Sequence, residues 1–392
     1  MKENVNIFSC TNSRYGEFKY YTHDDPIGKS FNEYGEWAEN EIEFLLSLIR
    51  VGDIVIDVGA NIGSHTIAFA NKVGAKGKVI AYEPQPKVAE LLSHNVMANK
   101  CTNVQVLQQG VSDKEGVFYI PSLDYSRHEN FGAISLSANN SGEDISVQVN
   151  TIDSLEIEHL NFIKIDAENM GDRVINGMTK TLKRCRPILF CESNDLEEAF
   201  SLMMAMKQHN DYIMYVVRTC PYNADNFKNN KINFFGYAWE SNLLFVPKGL
   251  VSIEEKFNEK INIIKIDNTK SLFEEIYKTP RYGDKNIYSR DVVKLNSNLD
   301  AAMHDNENKE NEIAQLREQI ELLRQQIVAL NFRLKKIFLD NVKLANDYHS
   351  ISSDYHSANV ELQSLKEFIK NKDKIAKFIK KNTRSIQRIF KA

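Results

Sequence analysis

Residues 51–84 constrain the fold of this chain more than any other stretch. Residues 54–58 are a largely β-branched run of the kind that suits a fully buried parallel strand. Gly59 and Gly63 follow it, and an amphipathic segment then leads to a second apolar run at residues 79–82. This order predicts a strand, a glycine-rich turn, a helix and a second parallel strand.

The turn and the acid that follows the second strand suit a nucleoside ligand. Glycines let the backbone turn sharply and let a ligand approach it closely, and the N-terminus of the next helix offers free N–H groups. Glu83 stands where a carboxylate can accept hydrogen bonds from both hydroxyls of a ribose. The spacing Gly59-x-x-x-Gly63 differs from the GxGxxG fingerprint of dinucleotide enzymes.

The phrase DVGANIG, from Asp57 to Gly63, and the YEP that contains Glu83 resemble the S-adenosylmethionine site of class I methyltransferases. Within that class they closely resemble the FkbM family, and the resemblance covers roughly residues 15–250. It implies an α/β fold with a Rossmann-like, seven-stranded sheet whose last strand is antiparallel, and S-adenosylmethionine as the cofactor. The residues expected to bind the cofactor are Asp57, Gly59, Asn61, Gly63, Ser64, Glu83, Pro84, Gln85, Gly110, Val111 and Asp166.

A second motif supplies candidate catalytic residues. The family shows K-x-D-x-E at the end of a later strand, and Lys164, Asp166 and Glu168 match it. Methyl transfer to a hydroxyl needs the acceptor held in line and gains from a base that takes its proton. Glu192, after the adjacent strand, and His65, at the start of the first helix of the sheet, are alternative bases. The carboxylates could instead bind a divalent metal, which we rank lower, so no metal site is predicted.

The same motif departs from the family at two positions. Asn169 stands where the family has glycine, and Gly171 stands where it has a second acid. The departure puts part of the acceptor site in question. It motivates an alternative function, a catalytically weakened, methyltransferase-like scaffold that organises a glycan-synthesis complex.

The methyltransferase domain is predicted to span residues 51–250. Two segments are candidates for covering its site, one N-terminal to the domain and one within it. Residues 1–50 are predicted to form an N-terminal cap or lid, because Glu36 and Glu41 match a family phrase that usually covers the cofactor. Tyr34 and Trp37 within it are either lid residues or helix-packing aromatics.

Residues 122–144 form a long polar loop between two predicted strands. Such a loop in a compact domain is usually functional or disordered. It is either a solvated loop, which we favour, or a source of acceptor-facing residues such as Tyr125, Arg127 and His128.

The amino-acid composition limits the classes of protein to which this chain can belong. The 392 residues suggest two or three units, and 42% hydrophobic residues are enough for a sizeable core. A formal charge of −4 argues against a nucleic-acid coat. Five cysteines without CxxC spacing suit a reducing compartment. With no signal-peptide core and no run of about eighteen apolar residues, we expect a cytoplasmic protein, soluble or peripheral at the inner face of the membrane.

The C-terminal third changes pattern. Residues 251–310 are predicted to be a linker with short helices, and residues 311–369 an α-helical coiled coil. Its apolar positions alternate spacings of three and four residues, which indicates a heptad repeat: Ile313, Leu316, Ile320, Leu323, Ile327, Leu330, Leu334 and Ile337. The chain is therefore expected to form a homo-oligomer through residues 313–369, either a dimer or a trimer.

Residues 370–392 are strongly basic, with apolar residues at helical spacing. Such a helix can lie on an anionic membrane surface, dock on a membrane-bound glycan-synthesis partner or continue the coiled coil. The layout resembles chain-terminating methyltransferases of bacterial O-antigen synthesis. It implies an O-methyltransferase (EC 2.1.1.-) that acts on a sugar hydroxyl of a surface glycan or polysaccharide.

Overall fold

The computed structural model describes residues 7–277 and Thr279, except residues 128–129, 133, 140–143, 194 and 237. The chain divides into two units after residue 283, and every described residue lies in the first. The predicted coiled coil, the basic tail and most of the predicted linker lie outside the described residues. None of the helices in the described part is long and apolar enough to cross a bilayer.

The strands in the described residues are β1 (Phe8–Ser13), β2 (Gly16–Tyr21), β3 (Ile54–Val58), β4 (Lys78–Tyr82), β5 (Val104–Leu107), β6 (Gly110–Val111), β7 (Gly116–Ile120), β8 (Ile145–Asn150), β9 (Phe162–Ile165), β10 (Ile188–Glu192), β11 (Tyr212–Thr219), β12 (Glu240–Pro247), β13 (Lys256–Phe257) and β14 (Ile261–Ile266). The helices there are α1 (Ile27–Tyr34), α2 (Glu39–Leu48), α3 (Ser64–Val73), α4 (Pro86–Ala98), α5 (Gly171–Asn176), α6 (Thr179–Cys185), α7 (Leu196–Met206) and α8 (Thr269–Tyr277).

Within the described residues the main sheet has nine strands, in the order β13-β14-β11-β12-β10-β9-β3-β4-β5. Strands β5, β4, β3, β9 and β10 are parallel, and β12 is antiparallel to both β10 and β11. The predicted mixed α/β architecture and the antiparallel last strand are confirmed. The strand number differs, because β13 and β14 come from the segment predicted to be a linker. In β14, Ile261, Ile263 and Ile266 are buried while the strand pairs with β11.

The central strands carry the core. Val55, Ile56 and Ile163 are fully buried, and since Val55 and Ile56 point to opposite faces of β3, both faces of the sheet are covered there. Fully burying each such side chain stabilises the fold by about 1.5–3 kcal/mol. A smaller three-stranded sheet, β6-β8-β7, follows β5 along the chain.

The N-terminal cap is joined to the chain segment between β11 and β12 by a buried carboxylate. Glu36 accepts hydrogen bonds from Arg14 Nε, Asn223 Nδ2 and the Phe227 amide, each at 2.8 Å. Tyr34 is buried in the same region and stacks on Phe234 at a ring distance of 5.0 Å. Tyr34 is therefore a packing aromatic in this structure.

Candidate active site

The glycine turn after β3 has the predicted geometry. Gly59 has a φ of 76°, and its amide donates to the carbonyl oxygen of Tyr82. A Cβ at Gly59 would lie 1.8 Å from the carbonyl oxygen of Asp166, so only glycine fits. Gly63 has a φ of 97°, and a Cβ there would lie 2.8 Å from Leu92 Cδ1. Helix α3 begins at the next residue, so its free N–H groups face the turn.

Glu83 lies immediately after β4 and is held by two backbone amides. Its Oε1 accepts a hydrogen bond from the Gln85 amide at 2.9 Å, and its Oε2 accepts one from the Asn61 amide at 3.0 Å. Burial raises the pKa of this carboxyl to about 7, although the hydrogen bonds from the two backbone amides act to lower it. Each oxygen keeps a further lone pair, so the group can still accept two hydroxyl donors. Pro84 lies between Glu83 and Gln85 and is partly exposed.

Asp57 is fully buried at the C-terminal end of β3. Its Oδ2 accepts a hydrogen bond from Thr66 Oγ1 at 2.6 Å. Its Oδ1 is buried and has no hydrogen-bond partner among the described residues. A buried carboxylate oxygen without a donor is costly, so this oxygen is suited to a donor that the chain itself does not supply.

Three candidate catalytic carboxylates meet at the edge where β9 and β10 end. Asp166, Glu168 and Glu192 each place one oxygen within 4.8 Å of the other two, a spacing that could also hold a metal ion. Buried Lys164 donates from Nζ to Asp166 Oδ2 at 2.7 Å. Burial alone would raise the pKa of Asp166, but the Lys164 ammonium lowers it to about 2.

The two glutamates differ from Asp166 in protonation. Burial, with the negative charges of Asp166 and Glu198, raises the pKa of Glu168 to about 7. Burial and Asp166 raise the pKa of Glu192 well above its usual range. Of the three carboxyls, Asp166 is therefore the easiest to ionise, and the pKa values of Glu168 and Glu192 are both raised.

His65 and Glu41 form a buried pair at the start of α3 and α2. His65 Nε2 lies 3.0 Å from Glu41 Oε1, and Glu41 Oε2 accepts a hydrogen bond from Asn242 Nδ2 at 2.8 Å. Burial and the charge of Lys164 lower the pKa of His65 to about 3, so the imidazole is neutral. Glu41 thus holds His65 and the first residues of β12, a role that the lid prediction did not include.

Three further predicted cofactor residues are buried. Ser64 is buried at the first position of α3. Gly110 and Val111 are buried in β6, and Gly110 lies against Leu136.

The loop of residues 122–144 is only partly solvated. Tyr125 is 8% exposed and stacks on Tyr21 at 4.4 Å. Arg127 is exposed and pairs with Asp124, and His128 lies outside the described residues. The buried part of this loop differs from the solvated loop favoured by the sequence.

The two departures from the family motif are accommodated locally. Asn169 has a φ of 57°, in the left-handed region that asparagine adopts more readily than most residues. Its Nδ2 donates to Ser135 Oγ at 3.2 Å. Gly171 begins α5, where a Cβ would lie 2.8 Å from Leu202 Cδ2.

Several contacts at the candidate site were not predicted from the sequence. They include the pairing of Lys164 with Asp166, the pair of Glu41 and His65, and the contacts of Gln85 with residues 125 and 131. One signal was present, because a lysine inside the apolar run Phe162–Ile165 must be paired when that strand is buried. The other contacts join segments far apart in the sequence.

Comparisons with known proteins identify one family model that matches part of the chain. Residues 57–223 match the model of the methyltransferase FkbM domain. No curated protein matches the sequence.

Three solved structures illustrate the similarity. The methyltransferase FkbM from Methylobacillus flagellatus KT is 16% identical, with a TM-score of 0.37 over 55% of this chain and 50% of that chain. A SAM-dependent O-methyltransferase from Thermotoga maritima is 14% identical, with a TM-score of 0.34 over 63% and 79%. An O-methyltransferase from Bacillus cereus in complex with SAH is 15% identical, with a TM-score of 0.33 over 53% and 80%. The match thus spans half the length of the first of these proteins.

Proposed function

We propose that this S-adenosylmethionine-dependent methyltransferase methylates a hydroxyl oxygen and that Glu168 takes the hydroxyl proton. The enzyme class and the cofactor follow from the match of residues 57–223 to the FkbM methyltransferase domain. The hydroxyl acceptor and the base are the proposal. The observation that carries them is the group of three carboxylates, of which Lys164 fixes only one in the ionised state.

The residues around the glycine turn fit the cofactor. Glu83 has free lone pairs for the two ribose hydroxyls, and the unpartnered Oδ1 of Asp57 is suited to an ammonium donor. Gly59 and Gly63 let the turn pack closely against Asp166 and Leu92, and the turn leads into the N-terminus of α3, whose free N–H groups can face a ligand. When bound, S-adenosylmethionine supplies an electrophilic methyl group on a sulfonium.

Glu168 is the best base of the four candidates. A general base works best when its pKa lies near the working pH, and the pKa of Glu168 is about 7. Asp166 is a weaker base because Lys164 lowers its pKa to about 2. Burial and the charge of Asp166 raise the pKa of Glu192 well above its usual range, and His65 is buried against Glu41. Asp166 would then orient the acceptor hydroxyl rather than deprotonate it.

The proposed acceptor is a sugar hydroxyl of a surface glycan or polysaccharide. Carboxylates at the ligand edge can accept hydrogen bonds from several hydroxyls of one sugar, which supports this class. A methyl-release assay with isolated glycans tests turnover, and mass spectrometry of surface glycans with and without the gene product identifies the modified sugar. Release that requires an amine or thiol acceptor would contradict the proposal.

The scaffold alternative makes a different prediction. A scaffold would bind S-adenosylmethionine in a calorimetric titration and yet turn over none of the glycan acceptors. An active enzyme would lose turnover, but keep cofactor binding, in the Glu168→Gln variant.

Assembly is proposed on the sequence alone. The heptad repeat of residues 313–369 supports a homo-oligomer, and the basic helix of residues 370–392 supports contact with a membrane surface or a membrane-bound glycan-synthesis partner. Sedimentation of the full chain and of a chain without residues 301–392 tests the first point. Flotation with anionic and neutral vesicles tests the second.

A further inference from the structure

Part of the 122–144 loop crosses the ribose side of the candidate cofactor site. We call this part the strap and define it as Tyr125, Phe131 and Gly132. Gln85 Nε2 donates to the Phe131 carbonyl oxygen at 2.8 Å, and Tyr125 Oη donates to Gln85 Oε1 at 3.3 Å. The side chain of Gln85 therefore uses both ends of its amide on the strap.

The strap also lies against Asn61, on the opposite side of Glu83 from Gln85. A Cβ on Gly132 would lie 3.1 Å from Asn61 Nδ2, so the strap backbone lies against that side chain. Asn61 and Gln85 are the two residues whose backbone amides donate hydrogen bonds to Glu83. The strap thus contacts both residues that fix this carboxylate.

The strap is firmly attached to the N-terminal cap. Phe131 is 2% exposed, and its ring meets Tyr21 edge-on at 5.5 Å. Asp24, which is also buried, accepts hydrogen bonds from the Phe131 amide at 3.4 Å and from the Gly28 amide at 3.2 Å. These contacts fix the backbone that Gln85 binds.

Packing alone would account for the aromatic rings but not for the polar contacts. A buried glutamine between two loops costs desolvation of its amide unless both ends are paired. Here both ends are paired, next to Glu83, the acid assigned above to the two ribose hydroxyls. A wall that keeps water from that acid strengthens each hydrogen bond it makes.

We propose that the strap is the outer wall of the nucleoside part of the cofactor site and that Gln85 and Tyr125 position it. The proposal rests on the assignment of Glu83 to the ribose made above. Phe131 and Gly132 then belong to the binding site, although neither lies in the motifs that the sequence analysis identified. The effect of the strap on binding is expected to be the same for any ligand that carries the adenosine group.

Calorimetric titration of the full chain with S-adenosylhomocysteine and with methylthioadenosine tests the proposal. Tyr125→Phe keeps the stacked ring and removes one hydrogen bond, so affinity should fall about 2–5-fold, and Gln85→Ala should lower it about 5–20-fold. Both ligands should lose affinity by the same factor, because both carry the adenosine that the strap covers. Tyr212→Phe is the matched control, since the Tyr212 hydroxyl is buried without a hydrogen-bond partner among the described residues.

Hydrogen exchange gives a second measurement that does not depend on activity. Peptides that contain residues 131–132 should gain protection on addition of S-adenosylhomocysteine, and Gln85→Ala should reduce that gain. If Gln85→Ala does not fold, the Tyr125→Phe titration decides. Variants that bind both ligands like the wild type would overturn this proposal alone. A wild-type chain that binds neither ligand would overturn it together with the cofactor-site assignment, and the acceptor class does not affect either result.

Discussion

Replacing Glu83 with glutamine should change how the stability of the first unit, residues 1–283, depends on pH. Burial raises the pKa of Glu83 from its usual 4.5 to about 7 in the folded chain. Between those values the folded chain binds a proton that the unfolded chain has released, so stability falls as pH rises through this range. At about 1.4 kcal/mol per pKa unit, the loss is on the order of 3 kcal/mol.

Glutamine removes this dependence but has a cost of its own. It does not ionise, so the stability term that varies with pH disappears. Its amide nitrogen cannot accept the hydrogen bond that Asn61 or Gln85 now donates, which costs about 1–3 kcal/mol at every pH. The variant should therefore be the less stable protein at about pH 5, and by about pH 8 the difference should close or reverse.

Urea unfolding of the cofactor-free full chain measures this difference. Fluorescence reports on the right unit, because Trp37 and Trp239, the two tryptophans of the sequence, both lie in the first unit. Glu115→Gln is the control, since Glu115 is exposed and its replacement should leave the pH profile of stability unchanged. A stability difference between wild type and Glu83→Gln that stays constant from about pH 5 to about pH 8 would refute the reasoning.

Three further predictions concern other residues of the unit. Glu168→Gln should lower the methyl-transfer rate about 10²–10⁴-fold. It should also abolish the rise of the wild-type rate with pH through about 7, where Glu168 ionises. A pH–rate profile checks this, and the same rise in the variant would exclude Glu168 as the base. Glu36→Ala should destabilise the unit by about 1–3 kcal/mol, because it leaves the buried side-chain amide of Asn223 and the partly buried Arg14 without their acceptor. Urea unfolding measures this loss, and an unchanged stability would contradict the role given to Glu36. Asn169→Gly should fold with a stability within about 1 kcal/mol of wild type, because glycine suits the positive φ; thermal unfolding checks this.

The part of the fold that depends on local signals was predictable. Apolar periodicity predicts the strand Ile54–Val58 and the helix Ser64–Val73. The two glycines between them predict the turn, and both have a positive φ in the structure. The pair of strands at residues 256–266 was not predicted, since it is stable only through pairing with β11, a contact that the short isoleucine pattern does not specify.

The identity of the site residues was predictable, but their chemical state was not. The motifs predict that Asp166 and Glu168 lie together, and the structure brings them together with Glu192. Which of them is ionised depends on burial and on the position of Lys164, neither of which is encoded in the motif spacing. The contact of Glu41 with Asn242 joins positions 201 residues apart, so no local pattern predicts it.

The departures at Asn169 and Gly171 provide less support for the scaffold alternative once their surroundings are known. Asn169 adopts a left-handed φ of 57°, which glycine also adopts readily, and its side chain donates a hydrogen bond to Ser135. Gly171 packs against Leu202 in α7, where any larger side chain would require Leu202 to move. Neither change removes a member of the Asp166, Glu168 and Glu192 group. Loss of catalysis would therefore have to be shown by a failure of turnover with cofactor bound, because the three carboxylates remain close together in this chain.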